Sequence, residues 1–231
     1  MFQALVEGWW NRIPGQCAVC HRWPAQPVCE ECVSLFGQPV HRCRTCAIAL
    51  DAPRDQCGQC LLHPPPLDAT YAAVAYAYPW SELISNFKFR EATGWARWFA
   101  SLMRNLPWLE PALDTADWVL PMPLSAERLQ HRGFNQSALL ARALAGPKCR
   151  TDVLLRVRDT PAQSGLARPE RIQNVRHAFA IDPVLRPLLE GQRVLLVDDV
   201  MTTGASLFAC AEQIRLAGAS HIAAVVLART E

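Results

Sequence analysis

The sequence predicts an α/β fold, a mostly parallel sheet with helices on both faces, preceded by a small metal-held domain. Three observations point there. Val194 to Val197 form an apolar run without polar alternation, the pattern of a strand buried on both faces of a parallel sheet. That run leads through Asp198 and Asp199 into Thr202-Thr203-Gly204-Ala205-Ser206 and then a helical stretch, a strand, turn and helix in succession. Eight of the ten cysteines fall between Cys17 and Cys60, all as pairs separated by two residues.

A chain of 231 residues that is 51% hydrophobic can bury one full core and carry a small appendage, so two domains are expected, residues 1–63 and 64–231. The net charge of +2 neither favours nor excludes a nucleic-acid partner. From Arg128 to Arg176, however, ten Lys or Arg face three acids, a window suited to anionic phosphates or to a solvated arginine-rich surface. No stretch approaches the roughly 18 apolar residues of a membrane span. Met1 to Ile13 lacks the basic leader and apolar length of a secretion signal, and a cytoplasmic location is the expectation. Phe2, Leu5, Val6, Trp9 and Trp10 recur at helical spacing, predicting a short amphipathic helix that docks on its own protein.

The cysteine pairs are Cys17/Cys20, Cys29/Cys32, Cys43/Cys46 and Cys57/Cys60. A two-residue spacer points both thiolates of a tight knuckle at one ion, and two knuckles complete the tetrahedral shell that zinc prefers. Disulfides suit a secreted chain, for which no signal is visible. Eight thiolates make two closed four-cysteine sites, and closed sites are structural. The gaps favour sequential pairing, first pair with second and third with fourth, over a cross-braced arrangement. His21, His41 and His63 are then surplus, and metal would supply most of the folding free energy of so short a domain. Cys149 stands alone, and Cys210 is expected to pack in the core.

His63-Pro64-Pro65-Pro66 favours an extended connector. Ala69 to Tyr78 reads as a strand or hairpin edge, and Trp80 to Arg104 as helix that Gly94 interrupts. Within it Lys88 lies among aromatic residues, as an exposed polar side chain or a phosphate contact. Asp117 to Pro123 is a short strand running into prolines; a polar loop to Gln136 follows, and helical periodicity resumes at Leu139. Thr151 to Leu155 reads as another strand. Arg156 to Arg176, with five arginines, suits either a mobile lid or an ordinary surface excursion. The small residues Thr202 to Ser206 offer free N–H groups at the start of a helix spanning about Ala205 to Ala217, a phosphate cradle. Ile222 to Leu227 is expected to close the sheet near the C-terminus.

Two adjacent acids beside such a cradle repel a phosphate but accept hydrogen bonds from sugar hydroxyls, which fits a sugar phosphate. Val194 to Ser206 resembles the 5-phosphoribosyl-1-pyrophosphate (PRPP) signature of the type I phosphoribosyltransferases. The resemblance implies that Asp198 and Asp199 hold the ribose 2′ and 3′ hydroxyls, and Thr202, Thr203, Gly204, Ala205 and Ser206 the 5′-phosphate. It further implies that the loop after the first such strand wraps the pyrophosphate, a task for Arg128 and Arg132, with Mg2+ accompanying PRPP. Pro121-Met122-Pro123, Arg132-Gly133-Phe134-Asn135-Gln136, Gln163-Ser164-Gly165-Leu166, Arg171, Asn174, Ala178-Phe179 and the four cysteine pairs together resemble the ComF/GntX family. That family joins a double zinc ribbon to a phosphoribosyltransferase domain and is associated with DNA utilisation and competence.

The resemblance leaves three functions from different classes. The first is a phosphoribosyltransferase with an unidentified nitrogenous acceptor, in which Asp198, Asp199, Arg128 and Arg132 act at the reacting sugar and its leaving group. The second is a non-catalytic sensor of PRPP or nucleotide. The third is a protein of DNA uptake that holds single-stranded DNA.

Overall fold

The structure, a computed structural model, describes residues 15–23, 25–89, 93–158 and 178–231. The expected helix at Met1 to Ile13, most of the Arg156 to Arg176 segment, and Gln163 to Leu166, Arg171 and Asn174 lie outside the described residues.

Parallel strands β1 (Ala69–Ala75), β2 (Trp118–Pro121), β5 (Arg193–Met201) and β6 (His221–Arg229) make the sheet, in the order β1-β6-β5-β2. The expected closing strand β6 is therefore internal. A run as unbroken as Ile222 to Ala228, every residue of which is buried, needs apolar cover on both faces of the sheet, and alternate residues supply the two cores. Alternate β5 residues serve opposite faces: Val194 and Leu196 join one core, Leu195 and Val197 the other.

One face is covered by α3 (Trp80–Phe89), α4 (Trp95–Arg104), α5 (Leu109–Thr115) and α7 (Gln136–Ala145), whose Phe87, Phe99, Leu109 and Leu140 are fully buried. The break between α3 and α4 falls at the expected Gly94. The other face is covered by α8 (Ala205–Leu216), through Leu207, Ala211 and Ile214, and by an antiparallel pair, β3 (Leu154–Arg156) and β4 (Phe179–Ile181). The strand expected over Thr151 to Leu155 thus starts later and pairs outside the main sheet, with β4 as its partner.

Among the described residues, those of the cysteine-rich segment pack into the cores of the sheet. Cys17, Cys29 and Cys32 pack into the α3/α4 core, while Cys43, Cys46 and Cys60 pack into the α8 core. The short helix α1 (Glu30–Phe36) docks where Trp80 Nε1 donates to the Phe36 carbonyl at 2.8 Å. A second short helix, α2 (Gly58–Leu62), ends the segment. The second knuckle lies along β1: Thr70 N donates to the Arg44 carbonyl and Thr70 Oγ1 to that of Thr45, both at 2.7 Å. An edge strand that would otherwise present unpaired backbone groups is partly covered in this way. No helix among the described residues is long and apolar enough to cross a membrane.

Candidate functional site

β5 is longer than its apolar run. It continues through both acids to Met201, because β6 offers a ladder that far, pairing Asp198 with Val226 and Met201 with Arg229. Asp198 and Asp199 therefore lie within the strand near its C-terminal end, and the strand runs on past them to Met201. Its other neighbour stops earlier: β2 pairs only to Pro121 opposite Val197, one more bond runs from Met122 N to the Val197 carbonyl, and Pro123 has no N–H to donate. Past Val197 the two chains part and a crevice opens over the acids. α7, the longer helix between β2 and β5, lies on one face and α8, which follows β5, on the other. Such a switch point is where open α/β sheets bind ligands.

The segment read as a polar loop contains a short helix, α6 (Ala126–Arg132), because Ser125 caps it by accepting from Arg128 N at 3.3 Å. Gly133, at φ +75°, ends it in the left-handed conformation that glycine adopts without strain. Asn135 caps α7 by accepting from Ala138 N at 3.2 Å and donates through Nδ2 to the Met122 carbonyl at 3.0 Å, tying this helix pair to the end of β2. Arg132 Nη1 donates to Gln136 Oε1 at 3.2 Å, and its guanidinium lies 5.0 Å from the centre of the Phe89 ring.

On the other side of the crevice, the turn from Thr202 leads into α8, which starts at Ala205 as the sequence predicts. Gly204 takes φ +81°, and a Cβ there would stand 2.5 Å from Met201 Cε and 2.6 Å from the Phe208 ring. Thr203 Oγ1 accepts from Ala205 N at 3.4 Å.

All nine residues singled out for this site, Arg128, Arg132, Asp198, Asp199 and Thr202 to Ser206, line one cavity of about 200 Å³. Lys88 and Arg156 join the two arginines around it, so among the described residues four cations stand about two acids. That surplus of positive charge suits a ligand with more than one phosphate.

Ser137 Oγ donates to Asp198 Oδ1 at 2.8 Å, and Asp199 N donates to the same oxygen at 2.9 Å. Lys88 Nζ pairs with Asp199 Oδ2 at 3.1 Å. Withdrawal from water, then the adjacent charge of Asp199, push the Asp198 carboxyl up to about 7 against the pull of Ser137, Lys88 and the Asp199 N–H. Burial lowers the Arg132 guanidinium below its usual range, with Asp199 and Asp198 opposing that and Arg128 adding to it.

Lys88 and Ser137 went unassigned as site residues in the sequence. The exposed-face reading of Lys88 is corrected, since its side chain is 17% exposed and paired with an acid. The available signal was a lysine inside an aromatic run on a helix that must cover the sheet. Ser137 gave none beyond following Asn135-Gln136 at the start of a helix.

The cysteines gather sequentially: the sulfurs of Cys17, Cys20, Cys29 and Cys32 lie within 4.8 Å of one another, as do those of Cys43, Cys46, Cys57 and Cys60. None of the eight is joined in a disulfide, the sulfurs of Cys20 and Cys29 being 3.6 Å apart and those of Cys46 and Cys57 3.8 Å. Backbone N–H groups turn onto sulfur, Val19 and Cys29 onto Cys17, and Cys57 onto Cys43. Burial opposes ionisation of Cys17 and Cys43, yet these N–H groups and the neighbouring thiols bring them down to about 6 and about 7. A chemically soft, closed donor set of this kind fits zinc. His21, His41 and His63 are exposed, and Cys210 is fully buried, both as expected.

A switch-point crevice, an acid pair inside the strand and a glycine-hinged helix N-terminus define a phosphoribosyltransferase-type domain, and the family model for the phosphoribosyl transferase domain matches residues 129–231. The "DNA utilization protein YhgH" of Salmonella typhi is 31% identical over 94% of this chain and 98% of its own. "Competence protein F" of Haemophilus influenzae is 31% identical over 81% and 84%, and "Competence protein ComFC" of Bacillus subtilis 30% identical over 80% and 76%. The chain belongs to the ComF family.

Proposed function

We propose that the β5 crevice binds PRPP and that the protein transfers its phosphoribosyl group to a nitrogenous acceptor, releasing pyrophosphate. The observation that carries this reading is the convergence of a helix N-terminal cradle, an acid pair and four cations on one cavity. In it the N–H groups and hydroxyls of Thr202 to Ser206 hold the 5′-phosphate. Asp198 and Asp199 accept from the ribose hydroxyls, Lys88 leaving Asp199 as they do. Arg128 and Arg132 grip the departing pyrophosphate in bidentate fashion.

As the bond from the anomeric carbon to the pyrophosphate oxygen lengthens, positive charge grows on the sugar and negative charge on the leaving group. The acids face the first charge and the arginines the second, a fixed arrangement that favours the transition state. Carboxylate and phosphate oxygens are hard donors suited to Mg2+, which when bound would neutralise pyrophosphate charge. The two cysteine clusters hold structural zinc. The names of the relatives support a link to DNA utilisation and competence; single-stranded DNA or competence proteins are the proposed partners and the cytoplasm the proposed setting.

Calorimetry with PRPP and Mg2+, followed by pyrophosphate release over a panel of bases, tests this. Binding in the micromolar to millimolar range common for substrates is expected, with release stimulated by one acceptor class. Binding without release from any base would leave a PRPP sensor, and absence of binding would remove the site assignment altogether.

A further inference from the structure

Arg229 ends β6 with its guanidinium inside the protein, the residue being 5% exposed. Its Nε donates to the Cys46 carbonyl at 2.9 Å, and its Nη1 to the carbonyls of Met201 at 3.3 Å and Thr202 at 2.5 Å, with a further bond to Thr230. One planar fork thus joins a knuckle of the second cysteine cluster to the first residue of the phosphate turn.

A guanidinium withdrawn from water needs both hydrogen bonds and counter-charge. The carbonyls supply the bonds but no net charge. A zinc ion held by four thiolates is a net anion, so metal loading of Cys43, Cys46, Cys57 and Cys60 would complete the counter-charge that this arginine lacks when the cysteines are neutral thiols.

We infer that Arg229 is a positioning residue through which the second metal cluster holds the 5′-phosphate turn in its binding conformation, making phosphate binding depend on a metal outside the crevice. This rests on the reading of Thr202 to Ser206 as a phosphate site. Lysine could not replace it, since a single ammonium cannot reach carbonyls on both sides as a planar fork does.

The test is amide hydrogen exchange of the full chain, read at residues 202–206, with ribose 5-phosphate affinity measured alongside. Arg229→Met and Cys60→Ser are each expected to speed exchange in the turn by about tenfold or more, the loss of a charge-assisted hydrogen bond. Cys20→Ser, which breaks the first cluster, leaves the turn unchanged. The Arg229→Met/Cys60→Ser double variant exchanges there no faster than either single variant, because both cut the same link. Ribose 5-phosphate affinity falls in parallel, and Arg229→Lys does not restore it.

Unchanged turn exchange in Arg229→Met, or additive effects in the double variant, overturns the inference. Should Cys60→Ser fail to fold, stepwise zinc withdrawal from the wild type by a chelator gives the same comparison, with release of the second ion expected to coincide with loosening of the turn and separate events counting against the link. Failure of wild-type protein to bind ribose 5-phosphate refutes the phosphate site instead, while exchange still reads the link.

Discussion

Asp198 sits beside a second acid in a crevice and is held up to about 7 by withdrawal from water and by Asp199. Its pKa in the folded chain is thus above the unfolded value, so ionising it between about pH 4 and 7 costs stability. The contribution of the neutral carboxyl is present below the unfolded pKa and is lost as pH rises through about 7. Ligand-free protein should lose melting temperature across that window, and Asp198→Asn should flatten the slope. Sugar hydroxyls donate to the ionised form, so PRPP affinity should instead rise from pH 6 to 8. That rise, measured by calorimetry, should disappear in Asp198→Asn, and an identical slope in the variant would sink the assignment. Asp199→Asn should weaken PRPP binding by roughly tenfold, the worth of a charged hydrogen bond, without lowering the melting temperature by more than a few degrees. Lys88 and Ser137 show why residue roles were incompletely legible. A lysine in an aromatic run and a serine early in a helix acquire meaning only when α3 and α7 fold over β5.

The strand, turn and helix from Arg193 to Leu216 is the most legible element, because unbroken hydrophobicity, a glycine and a hydroxyl-rich turn are local signals. Gly204→Ala would place a methyl group against Met201 and Phe208 at positive φ. It should destabilise the fold by about 1–3 kcal/mol and weaken ribose 5-phosphate binding more than substitutions elsewhere on α8, measured by denaturant unfolding and titration. By contrast, α6 hid inside a run of polar side chains, since a short helix with no buried residue has no apolar stripe to reveal it. Ser125→Ala should cost about 1 kcal/mol and, by loosening Arg128 and Arg132, raise the PRPP dissociation constant with little change in 5′-phosphate binding.

At the scale of the whole molecule, the two cysteine clusters are set into opposite faces of the sheet domain. Metal analysis of protein purified without chelators should give two zinc ions per chain, and none, with all eight thiols unreactive, would favour disulfides. Because each cluster shares a core with the sheet, zinc removal should lower the stability of the entire chain and not release an independent segment. Tryptophan fluorescence should report the loss of the first cluster, since Cys17, Cys29 and Cys32 share a core with Trp80. A chelator that left sheet unfolding unchanged would show the clusters to be energetically separate.

The sequence by itself determined the ingredients: eight cysteines at metal spacing, an acid pair ending an apolar run, a small-residue turn opening a helix, and arginines after the strand entering Pro121. These are local patterns, fixed by residue spacing within a few positions. Only the tertiary structure decided how far β5 runs past its acids, that Lys88 reaches Asp199, that the clusters lie on opposite faces of one sheet, and that Arg229 spans from one of them to the phosphate turn. Each of those depends on where β6, β2 and α3 end relative to one another. A contact such as that of Arg229 with Cys46, 183 positions apart, leaves no local period to read.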